Sequence, residues 1–102
     1  MKSLTISRSR DVIISLRLAG IEGVYCKNES ELKTKFKQYK EDENVGIIIL
    51  IEDDFKLIEE EVIEVKLSKK LPLVVTIPDR NGLKDKDFIM RYIKESVGVK
   101  VN

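Results

Sequence analysis

Gly46-Ile47-Ile48-Ile49-Leu50-Ile51-Glu52, preceded by Val45, is an unbroken apolar run that ends in three consecutive acids, Glu52-Asp53-Asp54. No polar residue alternates within it, so a strand made of it must be covered on both faces. A sheet with helices on each side meets that demand. The residues around the run supply both the helices and the further strands.

Upstream, Leu4-Thr5-Ile6 reads as a short strand followed by a polar loop, Arg8-Ser9-Arg10, with Asp11 placed to cap a helix. In that helix Val12, Leu16 and Ala19 recur at helical spacing, Ile13 widens the stripe, and Gly20 ends it. A second strand covers about Gly23 to Cys26. Asn28 or Ser30 then caps a helix with its stripe on Leu32, Phe36 and Tyr39 and its lysines mostly outside that stripe. The acidic loop 41–44 leads into Val45–Ile51.

Downstream, Asp53 or Asp54 opens a third helix, with Phe55, Ile58, Val62 and Val65 in register and Lys66, Lys69 and Lys70 at its end. Leu71-Pro72 introduces a fourth strand, Leu73–Ile77, which Pro78 stops. Asp79-Arg80-Asn81-Gly82 has turn chemistry. A last helix over about residues 85–97 carries Ile89, Ile93 and Val97, with Phe88, Met90 and Tyr92 adding apolar surface beyond one stripe. That excess fits a partner surface or a deeply sunk terminal helix, and both readings stay open.

The alternation predicts an α/β fold. It is a Rossmann-like, receiver-like βαβαβαβα chain with right-handed crossovers and a four-stranded parallel sheet of order 2-1-3-4, with helices on both faces. The long third strand is expected to be central and the short second strand to lie at an edge. At 102 residues, with neither linker nor repeat, residues 1–102 read as one domain.

Composition narrows the function. Apolar residues make up 42% of the chain and charged residues 36%, and a net charge of +1 provides no global field toward nucleic acid or anionic membrane. The longest apolar run falls far short of the roughly 20 residues that cross a bilayer. A single cysteine, Cys26, permits no internal disulfide, and the N-terminus lacks the pattern of a signal peptide, so a cytoplasmic setting is expected. There is no histidine, hence neither the commonest general base nor the commonest metal ligand.

In doubly wound sheets ligands bind beyond the C-terminal strand ends where the winding reverses. Here Ser7–Arg10 and Glu52–Asp54 line that address. Ser7-Arg8-Ser9-Arg10 has two arginines and no glycine, and reads better as a solvated loop than as an anion site. Glu52, Asp53 and Asp54 stand where a receiver-like domain would hold magnesium or accept a phosphoryl group. The acidic pair that such a domain needs after its first strand is replaced by Ser7 and Arg8, so helix capping is the preferred role. Cys26, with no histidine to activate it, reads as a small buried residue. No catalytic residue, metal or cofactor is expected.

The ordered landmarks resemble a known family. Leu16-Arg17-Leu18-Ala19-Gly20-Ile21 is similar to the R-L-A-G-I segment of the F subunit of the archaeal and vacuolar-type (A/V-type) rotary ATPases. Val45–Glu52 resembles its G-I-I-L-I-T-E strand, Leu71–Pro78 its P-x-x-x-x-I-P strand with the turn after it, and Tyr92–Gly98 its terminal helix. One departure stands out: the family's Gly-Asp pair after the first strand is Ser7-Arg8 here, although Asp11 keeps the later acid. The resemblance implies a non-catalytic central-stalk component that grips the coiled-coil D subunit and couples ATP turnover to ion transport, cytoplasmic and peripheral to the membrane. By the same analogy Arg17, Leu18, Gly20 and Ile21 would make the rotor contact with the Ile77-Pro78 turn. The last helix, through Tyr92 and Ile93, would reach toward the A/B catalytic hexamer or lie along the shaft. Arg17 has an alternative role, pairing with Asp11 or Glu22 of its own domain.

Overall fold

The computed structural model describes residues 1–68 and 70–78. The elements run β1 Lys2–Ser7, α1 Arg10–Leu18, β2 Glu22–Tyr25, α2 Glu29–Lys40, β3 Val45–Ile51, α3 Glu52–Leu57, α4 Glu59–Ser68 and β4 Leu73–Ile77. The strands form one parallel sheet in the order β2-β1-β3-β4. This is the predicted order, with β3 internal and β2 at an edge. The turn 79–82 and the helix expected over about 85–97 lie outside the described residues.

Two apolar layers explain the run that decides the fold. Ile48 and Leu50 join Leu4, Ile6, Leu32, Phe36, Ile58 and Val62 in one core, while Ile49 and Ile51 join Val12, Leu16, Val75 and Ile77 in the other. Successive residues of a strand point to opposite faces, so α1 packs on one face of the sheet and α2 and α4 pack on the other. Neither β3 face is left to water, as its missing polar alternation requires.

Three local expectations are corrected. Ser9, not Asp11, caps α1: its Oγ accepts the Val12 N–H at 3.3 Å, and Asp11 lies within the first turn, where its charge suits the helix dipole. The third helix is two helices, α3 and α4, separated at Ile58 (φ −124°, ψ 33°). The Ile58 N–H bonds the carbonyl of Phe55 at 3.1 Å, a tightened turn that places the fully buried Ile58 in the same core as Val62. The charges fit a restart there, since Lys56 ends α3 and Glu59-Glu60-Glu61 opens α4. Third, β1 is longer than Leu4–Ile6, beginning at Lys2 and ending at Ser7. Of the two candidate caps for α2, Asn28 fills the position, its Oδ1 accepting the Glu31 N–H at 2.9 Å.

Two glycines set the pose of α1. Gly20 sits at φ 88°, its N–H bonded to Arg17 O at 2.9 Å and the Ile21 N–H to Leu16 O at 2.9 Å, the paired closure that turns the chain sharply out of a helix. Gly23 on β2 lets α1 lie close, because a Cβ there would stand 2.8 Å from Ile13 Cγ2.

Candidate functional site

Ser7 and Arg8, at the C-terminal end of β1, meet Asp54 of α3 at the point where the winding reverses. The Ser7 hydroxyl donates to Asp54 Oδ2 at 2.8 Å, Arg8 Nε donates to Oδ1 at 2.7 Å, and the Arg8 N–H reaches Oδ2 at 3.3 Å. Asp54 and Ser7 are fully buried, whereas the Arg8 side chain remains 36% exposed. This corrects two expectations: Ser7-Arg8 is not simply a solvated loop, and Asp54 does not act as a helix cap, since no side chain caps α3. A buried carboxylate needs donors and a counter-charge. The Ser7-Arg8 pair supplies them in the very place where the resembling family has Gly-Asp.

The arrangement engages the acid. Both carboxylate oxygens accept hydrogen bonds and the guanidinium supplies the local positive charge, so a cation or phosphoryl group at Asp54 would first have to displace Arg8. Glu52 and Asp53 remain exposed in the first turn of α3, and no cluster of three ligand-type side chains occurs among the described residues.

Cys26 follows β2 beneath α2 and is fully buried, its N–H donating to the carbonyl of Ser7 at 2.8 Å. Desolvation, followed by the charges of Glu31 and Asp54, pushes its thiol pKa up to about 11. Because the folded pKa lies above the unfolded one, the native state holds its proton longer. Stability is therefore lost as pH rises from about 9 toward 11. The expected result is that the stability advantage of the wild type over Cys26→Ala, measured by urea unfolding, narrows across that range. An advantage that holds constant through the same range would show the thiol to be unperturbed.

The expected contact residues divide by burial. Arg17 and Gly20 are exposed and Leu18 is 69% exposed at the end of α1. Ile21 and Ile77 sit in the core with α1, and Pro78 is half-buried. Tyr92 and Ile93 lie outside the described residues. Of the two carboxylates considered for Arg17, Glu22 is taken by Lys2 at 3.0 Å. Sequence reasoning missed Ile14, which is 54% exposed one turn before Leu18. The signal was present: Val12-Ile13-Ile14 cannot all face inward, and Ile14 points about 160° away from Leu16 on a helix. The outer face of α1 is thus an apolar pair, Ile14 and Leu18, bordered by the exposed Arg17 and by Arg10, whose guanidinium lies 4.9 Å from the centre of the Tyr25 ring.

Among the described residues no helix is long and apolar enough to cross a membrane. Residues 4–93 match the family described as ATP synthase (F/14-kDa) subunit. The chain is 33% identical over 97 residues to the F subunit of the A-type ATP synthase of Methanococcoides burtonii, covering 94% of each chain. It is 34% identical over 92 residues to that of Methanocella arvoryzae, covering 87% of each. With the corresponding F subunit of Thermococcus kodakarensis it shares 33% identity over 98 residues, 89% of each. A match across almost the whole sheet, with relatives of the same length, leaves one conclusion: this chain belongs to the ATP synthase (F/14-kDa) subunit family.

Proposed function

We propose that this chain is a non-catalytic central-stalk component of an A-type ATP synthase, holding the coiled-coil D subunit through the outer face of α1 and helping couple ATP turnover to ion transport. The observation that carries the reading is the exposed Ile14–Leu18 pair beside Arg17, on a helix whose opposite face is locked into the core. Such a strip is the natural complement of a long helix with an apolar seam and carboxylates at its border. Leu18, Arg17 and Gly20 make the contact, joined by Ile14. Ile21 supports the same corner from within the core, whereas Ile77 and Pro78 stand at the opposite end of the sheet, where β4 ends beside Ile51. Tyr92 and Ile93 extend the reach toward the A/B catalytic hexamer. The protein works on the cytoplasmic side, peripheral to the membrane. Asp54, already engaged by Ser7 and Arg8, fits this role better than phosphoryl chemistry.

Co-expression with the cognate D subunit, followed by size-exclusion chromatography, tests the proposal. A one-to-one complex is expected, with Arg17→Glu weakening it by about tenfold at low salt and less at high salt. Absence of any complex with the wild-type chain would overturn the role. A complex indifferent to Arg17→Glu would move the interface away from the end of α1.

A further inference from the structure

Arg10 stands where a helix does not favour it. It is the first residue of α1, at the end whose dipole works against a cation, and its guanidinium is held 4.9 Å from the centre of the half-buried Tyr25 ring on β2. The neighbouring Arg8 is engaged by Asp54 at 2.7 Å. No carboxylate among the described residues forms an ion pair with Arg10 or Arg17.

The helix aligns these two cations. Seven residues at about 100° each bring Arg17 within about 20° of Arg10, and the rise separates them by about 10.5 Å. Ile14 and Leu18 lie about 40° and 80° from Arg10, both in the same sense. Ile13 lies on the other side and faces β2, where a Cβ on Gly23 would stand 2.8 Å from its Cγ2. The arginines therefore form a row along the β2 side of the apolar pair. Asp11, also exposed, lies about 60° beyond Ile14 on the far side and does not interrupt that row. The strip has one basic flank, and the flank has the spacing at which a coiled coil repeats the positions beside its seam.

We infer that Arg10 and Arg17 read two carboxylates one heptad apart on one flank of the partner's apolar seam, with Tyr25 positioning Arg10. The inference rests on the D subunit as the occupant of α1 and adds what selects it. Two cations at fixed spacing match a rigid helix whose acids recur every seven residues, and acids at another spacing meet only one of them. Neither the rest of this chain nor a second copy supplies the match. Residues 79–102 carry six basic residues against four acids, Asp79, Asp85, Asp87 and Glu95, and no two of these acids are seven apart. None of the described helices carries two carboxylates at that spacing.

The test measures the affinity of the full chain for the cognate D subunit, with charge reversals on both sides. Arg10→Glu is expected to weaken the complex by about tenfold at low salt and less at high salt. Its stability to urea should hold, because glutamate suits the first turn of a helix better than arginine does. Tyr25→Leu is expected to weaken binding by about threefold and Tyr25→Phe to leave it unchanged, and neither should matter in an Arg10→Ala background. On the D subunit, the acid-to-lysine change that restores binding to Arg10→Glu is expected seven residues from the one that restores Arg17→Glu. A complex indifferent to Arg10→Glu, or restoring positions at any other spacing, would overturn the inference and leave the D-subunit reading standing. A Tyr25→Leu loss that persists in the Arg10→Ala background would overturn the positioning role. No complex with the wild-type chain would overturn both the reading and the inference.

Discussion

Ile14→Gln/Leu18→Gln is expected to leave the domain folded and to weaken the proposed complex with the D subunit by at least about a hundredfold. Both side chains point outward, 54% and 69% exposed, so neither contributes to the core. Glutamine is a good helix former, and exposed substitutions away from caps and buried networks shift stability by about 0.5 kcal/mol or less. The partner sees a different change. Two aliphatic contacts, each worth about 1.5–3 kcal/mol when fully buried, become amides that must lose water without gaining a match. Urea unfolding of the free chain and titration against the isolated coiled coil separate the two effects. Full affinity in the double variant would show that the outer face of α1 is not the contact. A stability loss above about 2 kcal/mol would show instead that the pair packs within the domain.

The order of the sheet and the lengths of its central elements were legible because they follow from period and composition. The GIIILI run has no alternation, so it had to be internal, and it is. Gly20 after a helical stripe meant a left-handed closure, and its φ of 88° agrees. Ambiguity arose wherever two neighbouring polar residues could do the same local job. Ser9 and Asp11 both make good caps, and only the direction of the chain leaving β1 chooses between them. The split at Ile58 left no mark in the apolar spacing, because Phe55, Ile58, Val62 and Val65 keep helical period across it. The charge reversal from Lys56 to Glu59 was the readable trace.

The candidate surface was less legible than the fold. Arg17, Leu18 and Gly20 came from a resemblance in the α1–β2 corner, and burial now separates them from Ile21 and Ile77. Ile14 was hidden inside an apolar triplet whose other members do face inward. Exposure of an aliphatic residue depends on which helix turn meets the sheet, a tertiary fact that no local pattern encodes. Pairing between Ser7-Arg8 and Asp54 joins residues 47 and 46 positions apart in the chain. Each partner alone looks like ordinary loop or cap chemistry.

That pairing leads to the second large effect: Asp54→Ala is expected to cost about 3 kcal/mol of stability, a substantial share of what holds a domain of this size together. The carboxylate is fully buried and accepts from the Ser7 hydroxyl, the Arg8 Nε and the Arg8 N–H. Removing it strands the buried Ser7 hydroxyl and takes the counter-charge from a partly shielded guanidinium. Asp54→Asn should recover about a third of the loss, since the amide keeps the shape and one acceptor but turns two N–H donors toward groups that also donate. Arg8→Met should cost about as much as Asp54→Ala, because the Ser7 and main-chain bonds survive it but the fully buried carboxylate is left without its counter-charge. The damage also has a direction. Ser7 Oγ accepts the Ser9 N–H at 3.0 Å, and Ser9 Oγ in turn caps α1 at the Val12 N–H. Loss of Asp54 should therefore loosen the first turn of the helix that presents Ile14 and Leu18, and amide exchange at Val12 should quicken more than at Leu32 in α2. A uniform rise in exchange would reduce Asp54 to a bulk contribution to stability. A cost below about 1 kcal/mol would mean that water replaces its bonds and that the switch-point acid is not holding α1 in place.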